Sequence, residues 1–332
     1  MEDFDVAIIG CGFVGSSIAG YLNKKYNVAT FDVVPQPEIL IDHNIRHVLC
    51  DIRDKTELSK KLGNPKVIIH TAIIQIPRIT EEKQLAYDVN ILGTQHVCEI
   101  ASNNPAIKGL ILCDSWHVFG EQELDGIITE DFGYRPDKIE GRARLYAISK
   151  IMQECIVRFF DEKTPNKIFG TIRLGTVLGE GMPKATAANL FIEKAVKGEE
   201  ITPFKHVMYR PMFYVSIDDV CRTFQSYVDL ILTNNEDNDN SLNHIVNLAY
   251  EKPITILDLA TYVKDSVYTF SDGKISSNIN IIDKNIQSLY TETSTANLKI
   301  DNNKLHDLLQ IDSLSSPKDI ISELVRKKLS LN

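Results

Sequence analysis

The 332 residues are 43% hydrophobic and 24% charged, as in an ordinary globular protein, and the net charge of −9 argues against nucleic acid or an anionic membrane surface as the main partner. No apolar run approaches the roughly 20 residues of a membrane span, and the acidic residues after Met1 are unlike a secretory signal. Six scattered cysteines without a CxxC pair predict reduced, mostly buried thiols and a cytoplasmic protein.

Strands and helices alternate along the first half of the chain. Short apolar runs such as VAIIG, VIIH and LILC are typical of strands that are buried on both faces of a parallel sheet. Alternation of such runs with helical patterns implies right-handed crossovers and helices on both faces of the sheet. The predicted strands are 4–9, 28–31, 46–50, 66–70, 109–113 and 168–174, and the predicted helices are 13–24, 55–62, 81–102 and 144–161.

The alternation ends after residue 174. Helices are predicted at 186–197 and 217–232, an extended segment at 212–215, and a strand at 244–248 that rejoins the sheet. We therefore expect an α/β fold, a doubly wound parallel sheet of Rossmann type with a smaller α/β C-terminal substrate domain. The acidic tract 234–240 is predicted to be a surface loop, with a loose cation site as the alternative, and no other metal site is indicated.

A glycine pattern, Gly10-Cys11-Gly12-Phe13-Val14-Gly15, stands between the first strand and the first helix. Gly10 permits a tight turn, Gly12 lets the backbone approach a pyrophosphate, and Gly15 lets the helix pack close to the strand. The following helix begins at Phe13 and Val14, and its free N–H groups and dipole favour phosphate. The flanking strand and helix favour a dinucleotide site over a glycine-rich turn without a ligand.

Asp32 follows the second predicted strand, about 20 residues after the glycines, where a carboxylate accepts both ribose hydroxyls of NAD. It would repel the additional phosphate of NADP, and no Arg or Lys lies in the glycine loop or in residues 33–37 to bind that phosphate. The predicted cofactor is therefore NAD. The alternative for Asp32 is a residue of a surface turn, which its position at a strand end makes the weaker interpretation.

Ser115 follows the apolar run 109–113, and Tyr146 and Lys150 come about thirty residues later. The Tyr and the Lys stand four residues apart, so they share one face of a helix. A neighbouring ammonium lowers the pKa of a phenol, which is about 10 in free tyrosine, and a cationic nicotinamide ring lowers it further. Tyr146 is therefore the predicted proton acceptor or donor, and Ser115 fixes the reacting oxygen. The alternative is a pair that only packs and is solvated, but the order of glycine loop, Ser and Tyr-Lys favours a hydride-transfer site.

Further segments carry a resemblance to a known family. With the glycine loop, Ser115 and the Tyr-Lys pair, they make nearly the whole chain resemble the extended short-chain dehydrogenase/reductases of the NAD-dependent epimerase/dehydratase type. These segments are 50–54, 67–72, 88–94, 114–120, 128–131, 209–220 and 246–249.

The resemblance implies contacts for several further residues. Asp51 and Ile52 would contact the adenine, Thr71 and Ala72 would lie along the cofactor, and Asn90 would be a structural residue beside it. The lysine of the Tyr-Lys pair would also hold the nicotinamide ribose. The resemblance further implies a homodimer formed through the helices around 81–102 and 144–161. The expected NAD-binding Rossmann domain comprises 1–175, with 213–249 returning to the sheet, and the expected substrate-binding domain comprises 176–212 and 250–332.

Departures from the family pattern concern the substrate. Trp116 and His117 stand where the family's dehydratases have acidic residues, and they either line the pocket or are a packed aromatic and a surface histidine. Thr176 replaces an Asn that commonly touches the sugar nucleotide. Arg210 would be the diphosphate-contacting Arg, but the stretch 287–292, where a second such Arg is usual, has none.

Three functions remain open at this point. The first is an NAD-dependent epimerase or dehydrogenase acting on a sugar-like alcohol, with a nucleotide-sugar as the expected small-molecule substrate. The second is a reductase or dehydrogenase of a small non-nucleotide carbonyl compound, which the missing second Arg and Thr176 favour. The third is a non-catalytic NAD-binding protein, against which the complete set of Ser115, Tyr146 and Lys150 argues.

Overall fold

The computed structural model describes residues 4–233 and 244–330 of the chain. The strands are β1 (Val6–Ile9), β2 (Val28–Asp32), β3 (Arg46–Leu49), β4 (Val67–His70), β5 (Gly109–Ser115), β6 (Ile127–Ile128), β7 (Ile168–Leu174), β8 (Thr176–Leu178), β9 (Pro211–Met212), β10 (Tyr214–Ser216), β11 (Ile245–Leu248), β12 (Ile254–Thr255) and β13 (Lys299–Ile300). The helices are α1 (Phe13–Leu22), α2 (Glu38–Asp42), α3 (Lys55–Leu62), α4 (Arg78–Glu81), α5 (Lys83–Tyr87), α6 (Thr94–Asn103), α7 (Arg144–Lys163), α8 (Ala187–Ala195), α9 (Ile217–Thr233), α10 (Ile256–Phe270), α11 (Asn303–Leu309) and α12 (Pro317–Ser330).

Seven strands form one parallel sheet in the order β11-β7-β5-β4-β1-β2-β3. The chain builds outward from β1 to one side and then returns to the other side at β4, so the strand order reverses between β1 and β4. Ligands of such sheets bind at the carboxyl ends of the strands beside this switch point. The predicted doubly wound parallel sheet is confirmed, and the predicted strand at 244–248 is β11, which pairs with β7.

Helices cover both faces of this sheet. Side chains of successive strand residues point to opposite faces, so Val6 and Ile8 join one core while Ala7 and Ile9 join the other. The first core includes residues of α1 and α9, and the second includes residues of α3, α6 and α7. Burial on both faces explains why these strands appear in the sequence as continuous apolar runs.

A further core lies beyond the carboxyl end of the sheet. It combines residues of α8, α10 and α12 with Trp116, Phe119 and Phe213. The segment 213–249 is expected to return to the main sheet. Within it β11 does so, whereas β10 pairs with β8 in a separate two-stranded sheet. Because Trp116 and Phe119 also pack here, the segment that follows β5 contributes to this core. The domain boundaries given by the sequence stay a prediction.

The long helix predicted at 81–102 is interrupted. Two short helices, α4 and α5, precede a π-helical turn at Asp88–Gly93, and α6 follows it. Inside that turn the Asn90 side chain bonds to both the N–H and the carbonyl of Ile74, and the Thr94 hydroxyl donates to the Asn90 carbonyl at 2.7 Å. Side-chain bonds of this kind are associated with local insertions in a helix, and the apolar periodicity alone does not reveal them.

Among the described residues, no helix combines the length and the apolar character needed to cross a membrane. The acidic tract 234–240, predicted to be a surface loop, lies outside the described residues.

Candidate active site

The glycine loop follows β1, and its three glycines differ in the space around their Cα atoms. Gly10 has a φ of +99°, and a Cβ on it would lie 2.5 Å from the backbone nitrogen of Ala72. A Cβ on Gly15 would overlap the Gly10 carbonyl oxygen. A Cβ on Gly12, in contrast, would meet no atom within 4 Å. Gly12 therefore faces open space at the start of α1, whose N-terminus has no side-chain cap.

The neighbouring strand ends hold this loop. The Thr71 hydroxyl, directly after β4, donates to the Gly10 carbonyl at 2.7 Å. Asp32, the last residue of β2, accepts the backbone N–H of Cys11 through Oδ2 at 2.5 Å and that of Val33 through Oδ1 at 2.7 Å. Asp32 is thus fixed beside the glycine loop, at the position from which a carboxylate reaches a ribose.

The expected adenine-contacting pair separates in the structure. Asp51 remains accessible and is paired with Arg53 at 2.5 Å, whose hydrogen bond lowers the pKa of the Asp51 carboxyl despite partial burial. The Ile52 side chain packs into the core, where it fills the space under Gly93. Only the first residue of the pair presents its side chain outward.

Asn90 is completely buried. Its amide bonds to Ile74 and also donates to the Ser149 hydroxyl at 3.2 Å. The side chain therefore braces the loop after β4 against α7, and a contact of Asn90 with the cofactor stays a prediction.

Ser115, Tyr146 and Lys150 converge at the carboxyl end of β5. Ser115 is the last residue of this strand, and the other two lie on one face of α7. The Lys150 ammonium is buried and donates to the Cys113 carbonyl at 2.6 Å. Burial raises the pKa of the Tyr146 phenol, and its interaction with the Ser115 hydroxyl only partly offsets this. The lowering expected from Lys150 together with a cationic nicotinamide ring stays a prediction, because the ring is part of the cofactor and Lys150 is not among the causes that act on Tyr146 in the protein alone.

His117 and Trp116 lie next to Ser115 but face different surroundings. His117 Nδ1 is 3.0 Å from the Ser115 hydroxyl oxygen, and its ring lies edge-on to that of Tyr146, with centroids 5.6 Å apart. Trp116 is buried against Phe213, and its indole N–H donates to the Thr176 hydroxyl at 3.2 Å. Of the two interpretations left open, Trp116 is a packed aromatic, whereas His117 belongs to the site. Thr176 supports Trp116 through its hydroxyl.

Arg210 is paired with an acidic residue that the sequence analysis did not select. Its Nη1 lies 3.1 Å from both carboxylate oxygens of Glu140. The same carboxylate accepts the Tyr290 hydroxyl and Arg142 Nε, both at 2.8 Å. Arg142 also contacts Glu121 at 2.7 Å, and Glu121 lies 3.5 Å from His117. A continuous chain of polar contacts therefore joins Arg210 to Ser115.

Sequence spacing carried no signal for this network. The short helix Trp116–Phe119 ends at Gly120, whose φ is +89°, and the turn there brings Glu121 within 3.5 Å of His117. Within residues 4–233 and 244–330, no group of three or more His, Cys, Asp or Glu side chains is arranged to hold a metal ion.

Comparison with known proteins identifies the family. Residues 6–249 match the model of the NAD dependent epimerase/dehydratase family. The chain belongs to this family. The resemblance drawn from the sequence motifs is thereby confirmed, and with it the prediction of an NAD-dependent enzyme.

Similarity to curated relatives covers only part of each protein. The sterol-4-alpha-carboxylate 3-dehydrogenase (decarboxylating) of Bos taurus is 28% identical over 191 residues, which are 57% of this chain and 50% of the relative. A putative UDP-glucose 4-epimerase of Methanocaldococcus jannaschii is 27% identical over 202 residues, 57% of this chain and 62% of the relative. The D-erythronate dehydrogenase of Haemophilus influenzae is 27% identical over 161 residues, 46% and 49% of the two chains. The chain thus spans about half the length of the sterol dehydrogenases it matches.

Solved structures agree with the fold over nearly the full length. UDP-glucuronic acid 4-epimerase from Bacillus cereus, in complex with UDP-glucuronic acid and NAD, has a TM-score of 0.74 at 20% identity and covers 98% of this chain and 99% of its own. UDP-glucose 4-epimerase from Thermotoga maritima has a TM-score of 0.74 at 19% identity, covering 99% and 100%. At these identities the likeness shows the fold alone.

Proposed function

We propose that this protein is an NAD-dependent epimerase or dehydrogenase that acts on the hydroxyl-bearing carbon of a sugar-like alcohol. The observation that carries the proposal is the convergence of Ser115, Tyr146 and Lys150 at the same carboxyl edge of the sheet as the glycine loop, with β4 between β5 and β1. The open space at Gly12 and the uncapped N-terminus of α1 fit a pyrophosphate there. Asp32 would accept the adenosine ribose hydroxyls, and Lys150 would hold those of the nicotinamide ribose.

Each residue of the site has a defined task in this reaction. Ser115 fixes the reacting oxygen, and Tyr146 takes the hydroxyl proton or returns it. When bound, NAD supplies the hydride acceptor and a positive charge beside the phenol. Because burial raises the Tyr146 pKa in the protein alone, we infer that Tyr146 stays neutral until such a charge lies beside it.

A nucleotide-sugar is the first candidate substrate. Its support is the likeness in fold to epimerases whose solved structures contain UDP-sugars. The test is turnover of a panel of UDP- and dTDP-sugars by the purified protein. NAD that persists through gel filtration, with no net NADH formed during turnover, indicates an epimerase, whereas stoichiometric NADH release indicates a dehydrogenase.

A small hydroxy compound without a nucleotide is the second candidate, and the Arg210–Glu140 pair favours it. Both groups are largely buried, with side chains 12% and 15% exposed, so the guanidinium is already neutralised. A diphosphate would have to displace a carboxylate that Arg142 and Tyr290 also hold.

UDP binding to two variants separates these candidates. E140Q removes the carboxylate charge that competes with a diphosphate for Arg210. If the Arg210–Glu140 pair is what excludes diphosphate, E140Q should bind UDP more tightly than the wild type in calorimetry. E292Q is the matched control, because Glu292 lies on the surface and accepts the Tyr209 hydroxyl, away from the Arg210–Glu140 pair. Tight UDP binding by the wild type would contradict the non-nucleotide substrate.

We also propose a homodimer formed through α7. Ile148, Met152, Cys155 and Phe159 follow each other at spacings of four, three and four residues, and all are exposed. An apolar stripe of this kind fits the same stripe on a second copy. The variant M152R is expected to be monomeric by light scattering, and an unchanged dimer would refute this interface.

A cytoplasmic location remains part of the proposal, supported by six free thiols.

A further inference from the structure

A line of contacts leads from Ser115 to a fully buried carboxylate. The Ser115 hydroxyl oxygen lies 3.0 Å from Nδ1 of His117, and Nε2 of the same ring lies 3.5 Å from Oε1 of Glu121. The Glu121 side chain is 0% exposed and that of His117 is 15% exposed. The imidazole therefore stands between a hydroxyl and a carboxylate, with one ring nitrogen toward each.

Glu121 is both fixed and ionised. Its Oε2 accepts the backbone N–H of Glu140 at 3.0 Å, and its Oε1 accepts Arg142 Nη2 at 2.7 Å. Burial raises the pKa of this carboxyl, but the hydrogen bond from His117 and the charges of Arg142 and Arg210 outweigh burial and lower it. Because an ionised carboxylate only accepts hydrogen bonds, the imidazole nitrogen that faces it carries a hydrogen.

We propose that His117, held by Glu121, is a positioning residue that fixes the direction of the Ser115 hydroxyl. With the hydrogen on Nε2, the neutral imidazole presents the Nδ1 lone pair, to which the Ser115 hydroxyl donates. The backbone N–H of His117 donates to the same oxygen at 3.4 Å. The second lone pair of the Ser115 oxygen is then available to a hydroxyl donor on the side of the cleft, which is the Tyr146 phenol in the protein alone and the hydroxyl of an alcohol substrate when one is bound.

This proposal rests on the proposed function only for the catalytic role of Ser115. The orientation of the Ser115 hydroxyl depends on the contacts among Ser115, His117 and Glu121. A kinetic experiment and a spectroscopic experiment therefore distinguish a wrong catalytic role from a wrong orientation.

A double-mutant cycle tests the kinetic consequence. H117Q is expected to lower kcat about tenfold and to change KM less than about twofold, because it disturbs the orientation of a reacting group. In the S115A background the same change is expected to alter kcat less than about twofold, since no hydroxyl remains to be oriented. H117N places an amide near the former Nδ1 position and is expected to recover part of kcat.

Equal losses from H117Q in both backgrounds would overturn the proposal. The His117 ring also packs edge-on against Tyr146, and a role through that packing would not depend on Ser115. Thermal unfolding of each variant separates misfolding from loss of orientation, and H117N serves in the cycle if H117Q does not fold.

Nitrogen-15 NMR of the uniformly labelled protein tests the orientation without a substrate. The spectrum of H117N identifies the His117 signals among the eight histidines. We expect a protonated Nε2 and an unprotonated Nδ1, a shifted Nδ1 signal in S115A, and a loss of the preferred tautomer in E121Q. The opposite tautomer in the wild type would overturn the proposal. A wild type that neither epimerises nor oxidises any alcohol substrate would refute the proposed function, while the NMR result would still decide the orientation.

Discussion

Replacement of Gly12 by alanine tests the assignment of the cofactor site. The backbone at Gly12 has φ −68° and ψ −170°, which alanine adopts without strain, and the added methyl group would meet no protein atom within 4 Å. The methyl group would instead occupy the space that we assign to the pyrophosphate. The substitution therefore acts on the ligand and not on the fold.

The expected magnitudes follow from this geometry. Alanine is less favourable than glycine at a helix N-cap, but it lowers the entropy of the unfolded chain, and the two effects of about 0.5–1 kcal/mol nearly cancel. We therefore expect the melting temperature to change by less than about 2 °C. Loss of one hydrogen bond to a charged phosphate costs about 1.5–3 kcal/mol, which weakens NAD binding by about 10- to 150-fold.

Isothermal calorimetry with NAD and thermal unfolding measure the two quantities on the same samples. G141A is the matched control, because a Cβ on Gly141 also meets nothing within 4 Å and this glycine lies outside the loop. G15A is the opposite control, since its methyl group overlaps the Gly10 carbonyl and must destabilise the fold. Wild-type affinity for NAD in G12A would refute the placement of the pyrophosphate at this glycine.

Three further predictions concern single side chains. Y146F is expected to lower kcat by about 10²- to 10⁴-fold while NAD still binds in calorimetry, and full activity in this variant would remove Tyr146 from the mechanism. The folded-state pKa of Glu121, about 2, lies below its unfolded value of 4.5, so the contribution of this carboxylate to stability is complete above pH 4.5 and is lost as the pH falls toward 2. The difference in unfolding free energy between wild type and E121Q, measured in urea, should therefore shrink by about 2 kcal/mol from pH 7 to pH 3. A difference that stays constant with pH would contradict the buried ion pair. Cys155 is the one exposed thiol of the six but lies in the proposed dimer stripe, so a thiol reagent should label a single cysteine rapidly in the monomeric variant M152R and none rapidly in M152R/C155S, whereas rapid labelling of several would contradict the lower exposure of the others.

The sheet was predictable because its strands are buried on both faces. The apolar run 168–174 coincides with β7, and the runs before the glycine loop and before Thr71 fall on β1 and β4. Strand β5 extends two residues beyond its predicted end, because Asp114 and Ser115 still pair with β7 although they are polar. Polar residues at the carboxyl end of a central strand face the site, so the hydrophobic pattern stops before the strand does.

The candidate site was predictable where its residues are close in sequence and not where they are distant. Local spacing identifies the glycine loop and the Tyr-Lys pair. The contacts of Glu140 with Arg210 and Tyr290 span 70 and 150 residues, and no local pattern records them. Without them, Arg210 appears in the sequence as a free cation, and a diphosphate follows as its natural partner.

The Tyr146 pKa shows why spacing on a helix does not determine electrostatics. Tyr146 and Lys150 do share one face of α7, but the ammonium donates to the Cys113 carbonyl and lies near the buried Asp114 carboxyl. Neither group favours a phenolate, and the Asp114 carboxyl is among the causes that raise the Tyr146 pKa. Burial disfavours the charged form of both groups, because it raises the pKa of Tyr146 and lowers that of Lys150. The proton affinity of Tyr146 must therefore depend on what occupies the cleft.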